Sequence, residues 1–218
     1  MRSKLVIWGA SGHALIVADI VRLQGEYEIV GFLDDVNLER HGTEFCGAPI
    51  LGGREQLDSL QHLGVQCLIF GFGDCDARLR WSALVRAKGF SLITAIHPQA
   101  IVASDVTIGA GTVIGAAAVI DPETKLGENV IVNSLAFIGH ESIIEDGAHI
   151  GPGARLAGRV TIGRGTWVGI GTTVRERVFI GRHTLIGAGA VVLDDIPDGV
   201  VAYGVPARVI RKVIPNEP

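Results

Sequence analysis

Aromatic side chains are scarce in this chain: Phe, Trp and Tyr make up 6% of its 218 residues. The core must therefore be built from Val, Ile, Leu and Ala. Charge is thin as well, at 19%, while 48% of residues are hydrophobic, which excludes a disordered chain. There is no basic surplus. A net charge of −4 offers nothing to release counterions from a phosphate backbone, so nucleic acid is not an expected partner. No apolar run approaches 18 residues and no charged-then-apolar signal segment opens the chain, so membrane insertion is not expected. Only three cysteines occur, Cys46, Cys67 and Cys75. They cannot all pair internally, their spacing matches no metal motif, and a reducing cytoplasm is the expected setting. Glycine is what the chain has in excess, with 30 residues, about twice ordinary usage. Without excess proline or a Gly-X-Y period, that surplus excludes collagen and points to many tight turns.

At about 150 residues per domain the length allows between one and two domains. Residues 1–94 alternate strands and helices. Residues 4–9 (KLVIWG) read as a buried strand, and residues 12–23 place Ala14, Val17, Ala18 and Val21 at helical spacing. Residues 27–33 form a second expected strand, ending in Asp34-Asp35. A helix over 53–63, a strand over 65–72, a helix over 74–88 and a last short strand over 90–93 complete the series. Strands separated by helices of this length form parallel βαβ units, so a small Rossmann-like, doubly wound α/β domain is expected.

From residue 95 to 218 the pattern changes, and an internal repeat appears. Stepping by six from Ile96 to Val192 gives 17 positions, all of them aliphatic. Four residues after each stands Ala, Val, Thr, Ser or Ile, from Ala100 to Ile196. One branched aliphatic and one small residue per hexad mark a parallel β-helix of three hexads, 18 residues, per coil. The aliphatic side chain fills the shaft and the small one fits the narrowing corner. The residue before each aliphatic should then point outward. On one face these residues are Val113, Ile131, His149, Trp167 and Leu185. A monomer is expected to leave that stripe wet, so it predicts a homo-oligomer, with threefold symmetry suiting a triangular prism; the alternative is that the N-terminal domain covers it.

Counting 18 from His140 lands on Gly158, which makes them neighbours on adjacent coils. An imidazole titrates near neutrality and can take a proton from an acceptor. A glycine N–H can stabilise the oxyanion of acyl transfer. Spacing alone leaves an ordinary surface histidine equally open. In the N-terminal part, the turn Gly9-Ala10-Ser11-Gly12-His13 between strand and helix presents backbone N–H groups suited to phosphate, although it is not a GxGxxG fingerprint; a tight turn with Ser11 capping the helix is the alternative. Asp34 and Asp35 end the second strand, where a carboxylate can meet a ribose or base edge.

The stretch Asn133…His140-Glu141…His149 resembles the active-site signature of the sialic acid O-acetyltransferase family of hexapeptide-repeat acyltransferases. Within that family the likeness is nearest to bacterial UDP-4-amino-sugar N-acetyltransferases of glycan synthesis. It spans both halves, including Gly9–His13, Phe32-Leu33-Asp34-Asp35 and the closing Gly204-Val205-Pro206-Ala207. The resemblance implies a left-handed coil and acetyl-CoA as co-substrate, with no metal. It makes His140 the general base and Glu141 the residue that raises its basicity. Asn133 then lies near the reacting centre, and His149 meets acetyl-CoA. Gly158, Ile170 and Ala188 match the family's backbone contacts to CoA. In the N-terminal domain it implies a nucleotide-sugar site of Ser11, Gly12, His13, Asp34 and Asp35, with Gly71 in the same crevice. Some relatives have Gly-Asn where this chain has Gly71-Phe72.

Rival classes fit less well. A γ-type carbonic anhydrase uses the same coil with three zinc histidines, but His140 and His149 are nine apart and no third histidine falls in register. A non-catalytic sugar-nucleotide binder has no need of His140-Glu141 with Gly158. No part of the coil resembles a hydride-transfer site. The expectation is acetyl transfer from acetyl-CoA to the amino group of a nucleotide-linked 4-amino-4,6-dideoxy sugar by a cytoplasmic homotrimer. O-acetylation of a sialic acid or related sugar is the alternative.

Overall fold

The computed structural model describes residues 2–214. The chain forms two compact units, Met1–Pro98 and Gln99–Pro218.

The first unit runs β1 (Ser3–Trp8), α1 (Gly12–Gln24), β2 (Tyr27–Leu33), β3 (Glu44–Phe45), β4 (Ala48–Gly52), α2 (Leu57–His62), β5 (Cys67–Phe70), α3 (Cys75–Ala87) and β6 (Ser91–Leu92). Its sheet has the order β3-β4-β2-β1-β5-β6, parallel throughout except between β3 and β4. Leu5, Val6, Ile7 and Trp8 of β1 are all buried, as a central parallel strand flanked on both faces requires. The chain leaves β1 toward β2 and returns on its other side as β5. The carboxyl ends of β1 and β5 are therefore the switch point of the fold, where such sheets open a crevice.

Two features depart from the alternating pattern. The helix expected over 53–63 starts late: Arg54–Gln56 is a 3-10 turn, and α2 begins at Leu57. The Glu55 carboxylate accepts from the Gly53 N–H at 2.7 Å, tightening that turn. The β3–β4 hairpin was not expected at all. Its turn is made by Cys46 and Gly47, both at positive φ (46° and 73°), and it lets β4 extend the sheet beyond β2.

The second unit is a parallel β-helix of two-residue strands in three sheets. Along one face Val113 pairs with Ile131, Ile131 with His149, His149 with Trp167 and Trp167 with Leu185. The expected stripe therefore exists in register. Its exposure does not follow expectation: Val113, Ile131 and His149 are buried, and only Trp167 and Leu185 are exposed, at 38% and 41%. Part of the reason is local, because the Trp167 ring lies 4.2 Å from that of His149 and covers it.

Inside the shaft, the aliphatic residues from Ile114 to Val192 are at most 3% exposed. Each such side chain stabilises the coil by roughly 1.5–3 kcal/mol. The small residues at the corners do more than fit. Thr112 donates its hydroxyl to the Gly127 carbonyl and accepts the Val130 N–H, both on the next coil; Ser142 donates to the Gly139 carbonyl of its own turn and accepts the Val160 N–H of the next coil. These hydroxyls tie each coil to its neighbour. Every turn from Gly111 to Gly189 places its third residue after the shaft aliphatic at positive φ; six of these are glycine, and Glu141 and Arg159 are among the rest. The coil ends in an antiparallel hairpin, Val200–Gly204 with Ala207–Lys212, turned at Val205-Pro206.

Candidate nucleotide pocket and acyl-transfer corner

The crevice at the switch point of the first unit is a pocket of about 450 Å³. Ser11, Asp34 and Asp35 line it, together with Trp8, Phe72, Arg80 and Trp81. Helix α1 opens here with Ser11 extended and its hydroxyl making no cap, whereas Asp74 caps α3 by accepting the Ala77 N–H at 2.8 Å. The N-terminus of α1, a position that favours an anion, therefore carries no side-chain cap from Ser11. No atom lies within 4 Å of where a Cβ on Gly12 would stand, so the backbone there is open to close approach.

The two carboxylates have different jobs. Asp34 accepts the N–H groups of Val36 at 2.9 Å and Asn37 at 3.1 Å, and pairs with Arg40 at 3.5 Å. Burial pushes its carboxyl up, but those N–H groups and Arg40 outweigh it and hold it below its ordinary value. Asp35 accepts the Trp8 indole N–H at 2.7 Å and the Arg54 N–H at 3.0 Å. Both residues therefore shape the wall they belong to.

Gly12, His13 and Gly71 are not in the pocket lining. Gly71 is small for packing, because a Cβ there would stand 2.8 Å from Ala14 Cβ and 2.9 Å from Ile7 Cγ2. Burial, and after it the charge on Arg78, pushes His13 down to about 4, so its imidazole is neutral at physiological pH. The Trp81 platform escaped sequence reading: it stacks on Trp8 with centroids 5.5 Å apart, and the guanidinium groups of Arg54 and Arg80 lie over it at 4.8 and 4.9 Å. An amphipathic α3 conceals which of its residues faces a crevice.

In the β-helix, His140 occupies the corner after the face carrying Phe137 and Arg155. Its Nδ1 is 2.9 Å from Glu141 Oε1. Its ring lies against Gly158 one coil on, so closely that a Cβ on Gly158 would stand 2.5 Å from Nε2. With Nδ1–H donated to the carboxylate, Nε2 keeps its lone pair and faces the glycine. Glu141 is itself held: Arg159 donates Nε–H to Oε2 at 2.9 Å and Nη2–H to Oε1 at 2.8 Å. The Arg159 bonds first, and the His140 bond after them, hold the Glu141 carboxyl below its ordinary value. Arg159 was not singled out from the sequence, although the 18-residue step that led from His140 to Gly158 leads from Glu141 to Arg159.

The turn geometry also sorts the backbone amides. The second residue after each shaft aliphatic lies outside the coil's ladder. Three such positions are proline (Pro98, Pro122 and Pro152), and at Glu128, Ser134, Arg164 and Arg182 the N–H bonds a side chain instead. At His140, Gly158, Ile170 and Ala188 that N–H has no protein partner among the described residues, and the same is true at Ala110, Ala116, Asp146 and Glu176. Ile170 and Ala188 stand one coil apart at the same exposed corner, so the three glycine- or alkyl-bearing positions offer free donors to a ligand. Asn133 and His149 form a separate pair. Asn133 Nδ2 is 3.5 Å from His149 Nε2, and His149 is 4% exposed. The four residues of the expected signature thus divide into His140-Glu141 at one corner and Asn133-His149 at the neighbouring face. Among the described residues no group of three or more His, Cys, Asp or Glu could hold a metal ion.

A hexapeptide coil joined to a doubly wound nucleotide-type unit defines a hexapeptide-repeat acyltransferase. Comparison with known proteins carries this further. Residues 4–85 match the PglD N-terminal domain, and residues 123–158 and 159–194 match the bacterial transferase hexapeptide (six repeats). The crystal structure of PerB from Caulobacter crescentus in complex with CoA and GDP-perosamine is 34% identical, with a TM-score of 0.91, covering 96% of this chain and 98% of that one. The acetyltransferase domain of PglB from Neisseria gonorrhoeae in complex with acetyl coenzyme A is also 34% identical, with a TM-score of 0.89, over 96% of this chain and all of that one. WeeI from Acinetobacter baumannii, 23% identical over 96% of this chain and 100% of that one with a TM-score of 0.84, shares the fold. Comparison with curated proteins by sequence found no match. The chain belongs to the hexapeptide-repeat acetyltransferases that carry a PglD-type N-terminal domain, and its coil is the left-handed parallel β-helix of that family.

Proposed function

We propose that this chain transfers the acetyl group of acetyl-CoA to the amino group of a nucleotide-linked 4-amino-4,6-dideoxy sugar in bacterial surface glycan synthesis, with His140 as general base. The observation that carries this reading is the His140 corner: Nδ1 is 2.9 Å from Glu141, and Nε2 faces Gly158. The sugar ammonium first loses a proton to solvent. Its nitrogen then attacks the thioester carbonyl while Nε2 takes the second proton, and the Gly158 N–H stabilises the oxyanion that forms. Collapse of the tetrahedral intermediate expels the CoA thiolate, which recovers the proton from the imidazolium. Ile170 and Ala188 hold CoA through their backbone N–H groups.

The nucleotide sugar binds in the 450 Å³ pocket of the first unit, its diphosphate at the open N-terminus of α1 and its base against the Trp81 wall. Trp8, whose indole N–H is held by Asp35, backs that wall. An amine acceptor is favoured over the hydroxyl of a sialic acid because PerB binds GDP-perosamine and is described as a perosamine N-acetyltransferase. We place the enzyme in the cytoplasm, where three free thiols stay reduced, and as a homotrimer joined along the exposed Trp167 and Leu185. Among the described residues no helix is long and apolar enough to cross a membrane.

The test is a panel of UDP-, GDP- and dTDP-linked 4-amino sugars offered with acetyl-CoA, read by thiol release and by the gain of one acetyl group on the sugar. One member of the panel should turn over at least about 100-fold above the free sugar, since remote binding energy from the nucleotide supports the reaction. Equal rates with free and nucleotide-linked sugars, or acetyl-CoA hydrolysis alone, would remove the nucleotide sugar from the scheme.

A further inference from the structure

Four turns stack at one corner of the β-helix with Glu123, Glu141, Arg159 and Arg177 at the same position, 18 residues apart, all at φ between 57° and 62°. The shared backbone geometry stacks the four residues in one column. The column changes sign between Glu141 and Arg159, and there the contact is a two-bond fork with N–O distances of 2.8 and 2.9 Å. A planar guanidinium matches a carboxylate in this way and fixes its plane as well as its place. The plane matters because the same Oε1 also accepts from His140 Nδ1.

We propose that Arg159 is a positioning residue for the acetyl transfer, acting on the base through Glu141. The inference rests on the reading of His140 as that base. Arg159 locks the carboxylate where it holds His140 in the Nδ1–H tautomer, with Nε2 unprotonated toward Gly158. Its positive charge also offsets much of the negative charge of Glu141, so the imidazole is oriented by a carboxylate whose field is largely neutralised. The amine acceptor needs a base that is unprotonated at physiological pH, and a free carboxylate beside the ring would favour the imidazolium. The other charged groups facing this corner are Glu123, one coil below Glu141, and Arg177, one coil above Arg159; Asp105 lies below Glu123 and accepts its N–H at 3.1 Å. They extend the column symmetrically, with acid below and base above.

Arg159→Gln removes the charge and the fork, while Arg159→Lys keeps the charge and loses the fork. With a verified substrate, Arg159→Gln should lower kcat/KM at neutral pH by about 10-fold, a fraction of the 10²–10⁴ that a positioned base contributes. It should also move the acid limb of the pH profile upward. The sign follows from charge: without the guanidinium, Glu141 returns toward its ordinary carboxyl value and the protonated ring gains a full counter-ion. Arg159→Lys should lose rate with little movement of the limb. In a His140→Ala background Arg159→Gln should have no further effect. If His140→Ala is inactive while Arg159→Gln keeps wild-type rate and pH profile, the role of Arg159 falls and the base stands. A rate loss with an unmoved limb and a lowered melting temperature would reduce Arg159 to a stitch between coils. If His140→Ala is itself fully active, the base reading fails and takes this one with it.

Discussion

Gly158 has no side chain, and its neighbour explains why. An alanine there would put its Cβ 2.5 Å from His140 Nε2. The obstructing atoms belong to an exposed ring held by one hydrogen bond, which gives way before the backbone does, so the coil survives the change and the ring moves. Gly158→Ala should therefore keep a near wild-type melting temperature and lose at least about 10-fold in kcat, since displacements of about 1 Å at a reacting centre can cost up to 10²-fold. Thermal unfolding and steady-state rates on one preparation decide it. A normal kcat would mean that Nε2 does not need its place above Gly158. At the same scale the sequence shows that Asp34 and Asp35 end a strand, but not that their oxygens already serve Val36, Asn37, Trp8 and Arg54. Hydrogen-bond partners in a loop depend on where the loop folds, which no spacing rule reports.

Elements divide by how local their cause is. The hexads were legible because every coil repeats the same two demands, a shaft aliphatic and a small corner, and one register count then places every residue of the coil. That count reached Gly158, and it reaches Arg159 from Glu141 just as directly. The pairing of Asn133 with His149 was not legible, because they meet diagonally, 16 residues apart, through side chains that leave the ladder. In the first unit, β1, β2 and α1 were legible from burial and helical period, with ends within a residue or two of those observed. The β3–β4 hairpin was hidden because its turn depends on Cys46, a residue that rarely takes positive φ. Trp81 was hidden because it lies on α3, where a single period describes the core face but not the face turned to a pocket.

At the scale of the whole molecule, the exposed part of the outward stripe carries the proposed trimer seam. Trp167 and Leu185 remain 38% and 41% exposed, and burying what is left of each in a seam would contribute a part of the roughly 1.5–3 kcal/mol that full burial gives. A carboxylate placed there would be buried without a partner, which is costly. Trp167→Asp should dissociate the assembly and abolish activity together. Because the Trp167 ring also lies against that of His149, Leu185→Asp serves as the variant that touches the seam alone. Light scattering that finds an active wild-type monomer, or trimeric and fully active variants, would contradict the seam.

The most direct measurement for the acetyl transfer is thiol release by His140→Ala against wild type, at saturating acetyl-CoA and with the nucleotide sugar that the panel identifies. A base held by Glu141 above Gly158 predicts a fall in turnover of about 10²- to 10⁴-fold with both substrates still bound. Turnover within a few-fold of wild type would contradict it.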